Sequence, residues 1–351
     1  NNVIMATKKK SLGQYYTTNY NYILQGMSIP SHVVDIIEPF AGNADLIKFI
    51  DDAKYNVECY DIEPQKSFIV KRDTLHNPPD YQNKYIITNP PYLARNKSSN
   101  KSLFDKYDVN DLYKCFIKEI LINICVGGIL ILPLNFWSSI RTADIELRKS
   151  FLFVYKIQLL NIFEEQVFDD TTYTICSFQF ELKKESSQDN LLDIIVYPSK
   201  TIINVSLSES NNYMIGGDIY NLPTTNAFKI SRLTKKNINK KNSNIVAKCI
   251  DDNANNQIGL TIVDDDEIYI DNTPNQTART YATLIIEPKL ELNKQIQLVE
   301  KFNKYLSDYR TRYNSLFLTN YRESKDIARK RISFELVYLI VQYILDNFDA
   351  L

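Results

Sequence analysis

Histidine is nearly absent from this chain of 351 residues, which restricts the chemistry that the protein can use. With only His32 and His76, metal sites built from several histidines are excluded, and a histidine-based catalytic triad is not expected. The five cysteines are scattered and form neither a zinc-ligand pattern nor a disulfide framework. We therefore expect a protein of a reducing, intracellular compartment that binds no metal ion.

Long apolar runs are also lacking, and none approaches the roughly 20 residues that a membrane span requires. The N-terminal residues include Lys8, Lys9 and Lys10 and have no apolar signal-peptide core. With 44% hydrophobic and 24% charged residues, the composition is that of a globular protein, and its length suits two domains. These features predict a cytoplasmic protein with no membrane partner.

The first half of the sequence alternates strand-like and helix-like segments. Apolar runs predict strands at 33–40, 56–62, 68–72, 85–88 and 129–133, and late strands at 154–163 and 174–182. Helices are predicted at 44–51 and at 112–124, where apolar residues recur at helical spacing. This alternation predicts an α/β fold with a mixed, mainly parallel sheet and helices on both faces. The polar segment 183–190 then indicates a linker.

The second half has a different pattern, with short β-rich segments, Asn-rich loops and a final helical stripe that includes Ile332, Leu336 and Ile340. Its charges are segregated, since residues 229–248 carry seven Lys or Arg and no acid. The lysines suit either phosphate contacts or an ordinary solvated surface, and these two interpretations remain open. Arg322, Lys325 and Arg329 would share one face of a helix.

Residues 86–92 hold the most informative motif of the chain. A strand of Ile86, Ile87 and Thr88 ends at Asn89, and Pro90, Pro91 and Tyr92 follow. The prolines stiffen the backbone and end the hydrogen-bond ladder. An amide oxygen, a main-chain carbonyl and an aromatic ring are thus presented together at the carboxyl end of a strand, where open α/β sheets bind ligands. Such a group can hold an exocyclic amino group and stack on its ring.

Acidic residues end the three strands that precede this motif. Glu38 ends the first, Asp61 the second and Asp73 the third. Each alone is equally compatible with a tight turn or a solvated carboxylate. Because the carboxyl ends of parallel strands lie at one edge of a sheet, the series predicts a single ligand site there.

In this order the motifs resemble those of the S-adenosylmethionine-dependent adenine-N6 DNA methyltransferases of the gamma motif order. The resemblance covers roughly residues 11–182 and is carried by segments 14–17, 38–42, 60–64, 89–92, 112–116 and 166–169. It implies a Rossmann-like methyltransferase domain with a seven-stranded sheet, S-adenosylmethionine as cofactor and no metal. Ala44 departs from the family pattern, in which a second glycine is usual, and Thr18 replaces a frequent proline.

The resemblance also implies roles for individual residues. Glu38 would hold the methionine ammonium, Asp61 the ribose and Asp73 the adenine amino group, while Ile62 and Phe116 would flank the cofactor adenine. The implied cofactor-binding set is Tyr16, Thr17, Glu38, Pro39, Ala41, Gly42, Asp61, Ile62, Asp73, Thr74, Asn89 and Phe116. The implied catalytic set is Asn89, Pro90, Pro91, Tyr92 and Phe168, with the two aromatics stacking on a flipped-out base.

We therefore expect a catalytic domain at 1–185 and a β-rich and α-helical target-recognition domain at 190–351. The expected reaction is methylation of adenine N6 in double-stranded DNA, as the modification half of a restriction system whose endonuclease is encoded separately. The protein would be a monomer or a weak dimer. Expected DNA contacts are Arg95, Lys97, Arg310, Arg312, Arg322, Lys325, Arg329, Lys330 and Arg331.

Other functions remain open at this stage. A protein glutamine amide and an RNA adenine would also suit the motif at 89–92. Cytosine N4 is a further alternative, although serine commonly replaces the leading asparagine in such enzymes. A catalytically silent subunit that only binds DNA is a different class, and the intact Asn89 argues against it.

Overall fold

The computed structural model describes residues 18–165, 167–168, 173–185, 190–253, 255–271, 280–321 and 329–351. The chain divides into two compact units, and the boundary lies between Ser208 and Glu209. Residues 190–207, which the sequence analysis assigned to the second domain, belong to the first unit. This part of the chain continues the sheet of the first unit as two further strands.

The first unit is built on a nine-stranded mixed sheet. Its strands are β1 (Asp35–Glu38), β2 (Asn56–Asp61), β3 (Val70–Lys71), β4 (Tyr85–Thr88), β5 (Gly127–Pro133), β6 (Tyr155–Phe163), β7 (Ile175–Leu182), β8 (Asn190–Tyr197) and β9 (Thr201–Leu207). They lie in the order β3-β2-β1-β4-β5-β7-β6-β8-β9. The first five are parallel, β7 is antiparallel to both neighbours, β8 pairs parallel with β6, and β9 is antiparallel to β8. The mixed, mainly parallel sheet is confirmed, with two strands more than the seven expected.

Along the chain, most helices of the first unit come between two strands. They are α1 (Tyr20–Ile23), α2 (Ser102–Tyr107), α3 (Leu112–Ile122), α4 (Asn135–Ser138) and α5 (Thr142–Val154), with 3-10 turns at Asp45–Phe49, Asp52–Lys54 and Arg95–Lys97. The helix predicted at 44–51 is thus a shorter 3-10 turn. The helix predicted at 112–124 ends two residues earlier than expected.

The second unit packs two helices against short antiparallel strands. A four-stranded sheet has the order β10-β13-β11-β12, and β14 pairs with β15. The strands are β10 (Lys229–Arg232), β11 (Ile245–Lys248), β12 (Gly259–Ile262), β13 (Tyr281–Glu287), β14 (Thr319–Tyr321) and β15 (Arg329–Arg331). The helices are α6 (Leu292–Tyr313) and α7 (Phe334–Asp346), with 3-10 turns at Glu209–Asn211, Gly217–Asn221, Lys235–Lys240 and Asp265–Glu267.

The core of the second unit confirms the apolar stripe near the end of the sequence. Leu336 and Ile340 on α7 are buried together with Leu298, Phe302 and Leu306 of α6. The predicted β-rich and α-helical architecture is therefore observed. Within the described ranges, no helix combines the length and apolar character needed to cross a membrane.

A buried asparagine completes the hydrogen bonding of β6 in the first unit. The β6–β8 ladder begins only at Leu160, so the backbone of Ile157 lies beyond it on that side. The Asn190 side chain accepts from the Ile157 N–H at 2.7 Å and donates to the Ile157 carbonyl at 3.0 Å. Its amide thus takes the place of a neighbouring strand and satisfies two buried backbone groups.

We expect Asn190→Ala to lower the free energy of unfolding of the first unit by about 2–4 kcal/mol, because two buried polar groups would lose their partner. Trp137 is the only tryptophan and is buried in this unit, so its fluorescence during urea denaturation measures the change. The matched control is Asn204→Ala. The Asn204 amide bonds only to exposed Asp193, so we expect a change within about 0.5 kcal/mol. Equal effects of the two variants would contradict this role.

Candidate functional site

The carboxyl ends of the parallel strands open into one cavity, as the sequence predicts. Residues that follow β1, β2, β3 and β4 contribute to its wall, together with the segment from β4 to α3. The cavity is lined by Phe40, Gly42, Asp61, Ile62, Arg72, Asp73, Thr74, Leu75, His76, Asn89, Pro91, Leu93, Ser98, Asn100, Ser102, Leu103, Phe104 and Leu112. Carboxylates, an amide and flat apolar walls therefore share one ligand-sized space.

The turn after β1 is held in an uncommon backbone conformation. Gly42 has φ 55° and Ala44 has φ 62°, both in the left-handed region. Ala44 stands where the resembling family has glycine, and it accepts this conformation with its Cβ buried against Ala41 and Cys59. The Gly42 backbone lines the cavity, which allows a ligand to approach closely.

Asp61 connects this turn to the end of β2. Its Oδ2 accepts from the Gly42 N–H at 2.9 Å, and its Oδ1 accepts from the Glu63 N–H at 2.7 Å. The Ala41 N–H bonds to the Tyr60 carbonyl at 2.8 Å in the same region. The Asp61 carboxylate thus holds the turn at the end of β2 and lies at the cavity wall.

Glu38 lies beneath the turn, is 1% exposed and does not line the cavity. Its Oε1 accepts from the Phe40 N–H at 3.0 Å and from the Thr88 hydroxyl. Burial raises the pKa of Glu38 from 4.5 to about 8. The bonds from Thr88 and Phe40 counter this shift, whereas the nearby charge of Asp61 adds to it. The predicted contact with a methionine ammonium stays a prediction.

The segment after β3 is anchored to the same turn. The Thr74 hydroxyl donates to the Pro39 carbonyl at 2.8 Å. This bond positions Asp73, Leu75 and His76 at the cavity wall. Asp73 is placed as the sequence predicts, and its carboxylate is in contact with His76, which the sequence analysis did not identify.

Asn89 and Pro91 of the 89–92 motif line the cavity directly after β4. The Tyr92 hydroxyl contacts Asn89 Oδ1 and the Ile131 carbonyl, the latter at 2.9 Å. These contacts hold the Asn89 amide at the end of the strand. Asn89 and Pro91 of the motif thus line one cavity together with Asp61 and Asp73, whereas Glu38 does not line it.

The aromatic residues predicted to stack on a target base are both buried in this structure. The Tyr92 ring is 1% exposed and meets Tyr113 and Tyr173 edge-on, with ring centroids 6.1 and 5.8 Å apart. Phe168 is 3% exposed. A base can stack on these rings only if their neighbours move away, so the stacking role stays a prediction.

Phe116 takes a different position from the one implied for it. It is 1% exposed and meets the Phe40 ring edge-on at 5.3 Å, so Phe40 stands between Phe116 and the cavity wall. Phe104 and Leu112 line the cavity instead. Phe104 and Tyr107 are three residues apart in the short helix α2, a helical spacing that could have indicated a buried helix face here.

The loop after the motif forms part of the cavity wall. Arg95 pairs with Asp105 at 2.6 Å, and Lys101 Nζ donates to the carbonyls of Arg95 and Ser98. Lys97 is exposed. The sequence predicted DNA contacts for Arg95 and Lys97, and the ion pair leaves Arg95 less available for this role.

Of the basic residues predicted to contact DNA in the second unit, three that the structure describes are buried or contact other side chains. Arg310 makes two bonds to Asp252, at 2.7 and 2.9 Å, and one to the Ile258 carbonyl at 2.7 Å. Arg312 lies over the rings of Tyr309 and Tyr313, and Lys330 is 7% exposed. The geometry therefore argues against Arg310 and Lys330 as phosphate contacts, because they are already committed to the core.

Several predicted residues cannot be placed. Tyr16, Thr17, Arg322 and Lys325 lie outside the described residues, as do residues 14–15, 166 and 169 of the motifs. Arg329 belongs to β15, but its side chain is outside the description, and Arg331 in the same strand is half-buried. Among the residues that can be placed, no cluster of three or more His, Cys, Asp or Glu could hold a metal ion.

The raised pKa of Glu38 predicts a pH dependence of stability. Between pH 4.5 and 8 the folded protein keeps a proton that the unfolded chain has lost, so stability falls as pH rises through this window. We expect a slope of up to about 1.4 kcal/mol per pH unit relative to Glu38→Gln. Urea denaturation of both proteins, followed by Trp137 fluorescence, measures the difference. Parallel pH profiles would show that Glu38 is ionised in the fold.

We expect Arg310→Ala to destabilise the second unit by about 3–5 kcal/mol, because Asp252 would be left as an unpaired buried charge. Hydrogen exchange at the α6 backbone should accelerate accordingly. Arg312→Ala is the control, since its exposed guanidinium only stacks on tyrosine rings. Unchanged exchange in Arg310→Ala would return this arginine to the candidates for phosphate contact.

No protein-family model and no curated protein matches this sequence. Solved structures match parts of it at low similarity. A type I restriction-modification methyltransferase subunit from Streptococcus thermophilus is 13% identical over 52% of this chain and 47% of its own, with a TM-score of 0.37. The EcoKI type I restriction enzyme M protein is 14% identical over 55% and 51%, with a TM-score of 0.36. A DrdV–DNA complex is 14% identical over 70% and 36%, with a TM-score of 0.44. The chain thus spans about half or less of these proteins, and such similarity transfers no function to it.

Proposed function

We propose that this protein is an S-adenosylmethionine-dependent methyltransferase that modifies the N6 amino group of adenine in double-stranded DNA. The observation that carries this proposal is the single cavity shared by Asp61, Asp73 and Asn89. The first two suit a nucleoside cofactor, and the third suits an amino group that receives a methyl group. A donor and an acceptor bound there would be neighbours, as a direct transfer requires.

The residues present fit S-adenosylmethionine. Ile62, Leu75 and Phe104 provide apolar surface for a flat adenine ring, and Asp61 and Asp73 accept hydrogen bonds at the same wall. The Gly42 backbone allows a close approach of the ligand. Glu38 lies just behind, and an approaching ammonium would favour its charged form. When bound, the cofactor supplies an electrophilic methyl group on a sulfonium sulfur.

Asn89 and Pro90 would activate the acceptor. The lone pair of an adenine amino group is delocalised into the ring, which makes this nitrogen a poor nucleophile. Hydrogen bonds from its two protons to Asn89 Oδ1 and the Pro90 carbonyl would favour a tetrahedral, more nucleophilic nitrogen. The Tyr92 hydroxyl contacts Asn89 Oδ1 and would help to orient it toward the substrate. The methylated nitrogen is strongly acidic and can release its proton to water.

A DNA substrate is supported by a lysine-rich turn in the second unit. Lys235, Lys236 and Lys240 are exposed, and in the described structure none of them pairs with an acid. A capping box between Thr234 and Asn237 fixes the backbone of this turn. Such lysines would contact phosphates, while the target adenine leaves the duplex to reach the cavity. In this proposal the protein is cytoplasmic, a monomer or weak dimer, and the modification partner of a separate restriction endonuclease.

We expect Asn89→Ala to reduce methyl transfer to duplex DNA at least about 100-fold, because the polarised acceptor for the amino group is lost. Binding of duplex DNA should change little. Radiolabelled methyl transfer and calorimetric binding measure the two effects. The control is Asn204→Ala, an exposed asparagine on the far edge strand β9. Turnover by Asn89→Ala at the rate of the control would contradict the proposed chemistry.

A further inference from the structure

One of the two histidines of the chain lies on the wall of the cavity and contacts an acid there. His76 Nδ1 is 2.8 Å from Asp73 Oδ2, and the His76 N–H donates to Asp73 Oδ1 at 3.1 Å. Both residues line the cavity. His76 therefore contacts each oxygen of the Asp73 carboxylate.

The imidazole hydrogen-bonds to Asp73 in the tautomer that carries the hydrogen on Nδ1, because a carboxylate oxygen accepts hydrogen bonds. The backbone bond from His76, together with the Asn77 N–H bond to the Asp73 carbonyl at 2.8 Å, already forms the turn. The imidazole is thus not needed to close the turn, and its additional bond acts on the orientation of the carboxylate.

The exposure of the Asp73 and His76 side chains argues against a mainly stabilising role for their contact. The Asp73 and His76 side chains are 38% and 50% exposed, and exposed pairs of this kind contribute little to stability. With one bond on each oxygen, however, the carboxylate plane is fixed relative to the cavity. The remaining acceptor positions then point in defined directions.

The cavity wall around this pair suits a flat ring that carries a hydrogen-bond donor. Leu75 and Ile62 provide apolar surface, and Asp73 provides an acceptor. An adenine ring presents an amino group to such an acceptor. A hypoxanthine ring presents a carbonyl oxygen in its place, which a carboxylate repels.

We propose that His76 is a positioning residue that orients Asp73 toward the exocyclic amino group of an adenine nucleoside and so makes the cavity select adenine over hypoxanthine. This inference rests on the proposed function, because it assigns the adenosyl group of the cofactor to this wall. His76 need not touch the ligand itself. Its effect is transmitted through the Asp73 carboxylate.

The test compares two ligands whose rings differ at C6, where an oxo group replaces the amino group, and at N1, which carries a hydrogen only in the oxo form. S-Adenosylhomocysteine and S-inosylhomocysteine are titrated calorimetrically into the unchanged 351-residue chain, called the wild type, and into His76→Ala, His76→Asn and His32→Ala. We expect the wild type to bind the adenosyl ligand about 10–100-fold more tightly. In His76→Ala the adenosyl affinity should fall about tenfold while the inosyl affinity stays the same.

The other two variants serve as rescue and control. The Asn side-chain N–H lies close to the position of His Nδ1, so His76→Asn should recover most of the selectivity. His32 is exposed and precedes β1, outside the cavity, so His32→Ala should match the wild type.

Two results would overturn the inference while leaving the proposed function intact. An equal loss of affinity for both ligands in His76→Ala would mean that the histidine only supports the cavity wall. Unchanged selectivity in His76→Ala would mean that Asp73 is oriented without it. If the wild type binds neither ligand, the proposed cofactor and this inference both fail.

Discussion

The hydrogen bond between the Thr88 hydroxyl and the Glu38 carboxyl group is the interaction on which the site depends. Glu38 ends β1 and also holds the Phe40 N–H of the following turn. Thr88 ends β4 and directly precedes Asn89. One buried contact therefore fixes the turn that would face the proposed cofactor relative to the amide that would face the proposed target. Because Glu38 is fully enclosed, its protonation is coupled to this arrangement, and a cationic ligand nearby would alter both.

Charge in the second unit has two separate roles. Arg310 on α6 pairs with Asp252 and bonds to the Ile258 carbonyl, so it belongs to the fold. Lys235, Lys236 and Lys240 are exposed on a turn with a fixed backbone and can exchange their counterions for phosphates. Acidic residues also lie near this turn, since Lys241 pairs with Asp265 at 3.0 Å. The surface therefore carries charges of both signs, and the lysines on the turn are its strongest candidates for contact with phosphates.

The parts of the structure that depend on local pattern could be predicted from the sequence. The acids and the asparagine at the strand ends were located because parallel strands bring them to one edge. The parts that depend on pairing between residues far apart in the sequence could not be predicted. The Arg310–Asp252 pair joins residues 58 positions apart, and no sequence pattern near either residue predicts this pairing. Likewise β8 and β9 follow a polar segment that is typical of a linker, yet β8 pairs with β6 and β9 with β8. His76 and Asp73 are only three residues apart in the sequence. The sequence does not show, however, that the His76 side chain is oriented toward Asp73 at the cavity.

The most direct test of the central claim identifies the methylated product. The protein is incubated with S-adenosylmethionine carrying a labelled methyl group, duplex DNA of mixed sequence, and a matched RNA duplex and cell-protein extract in parallel reactions. The nucleic acids are digested to nucleosides, the protein to amino acids, and all are analysed by mass spectrometry. We predict that the label will appear in N6-methyl-2′-deoxyadenosine and in no other nucleoside. Label in N4-methylcytosine, in RNA or in protein glutamine, or none in any substrate, would contradict it.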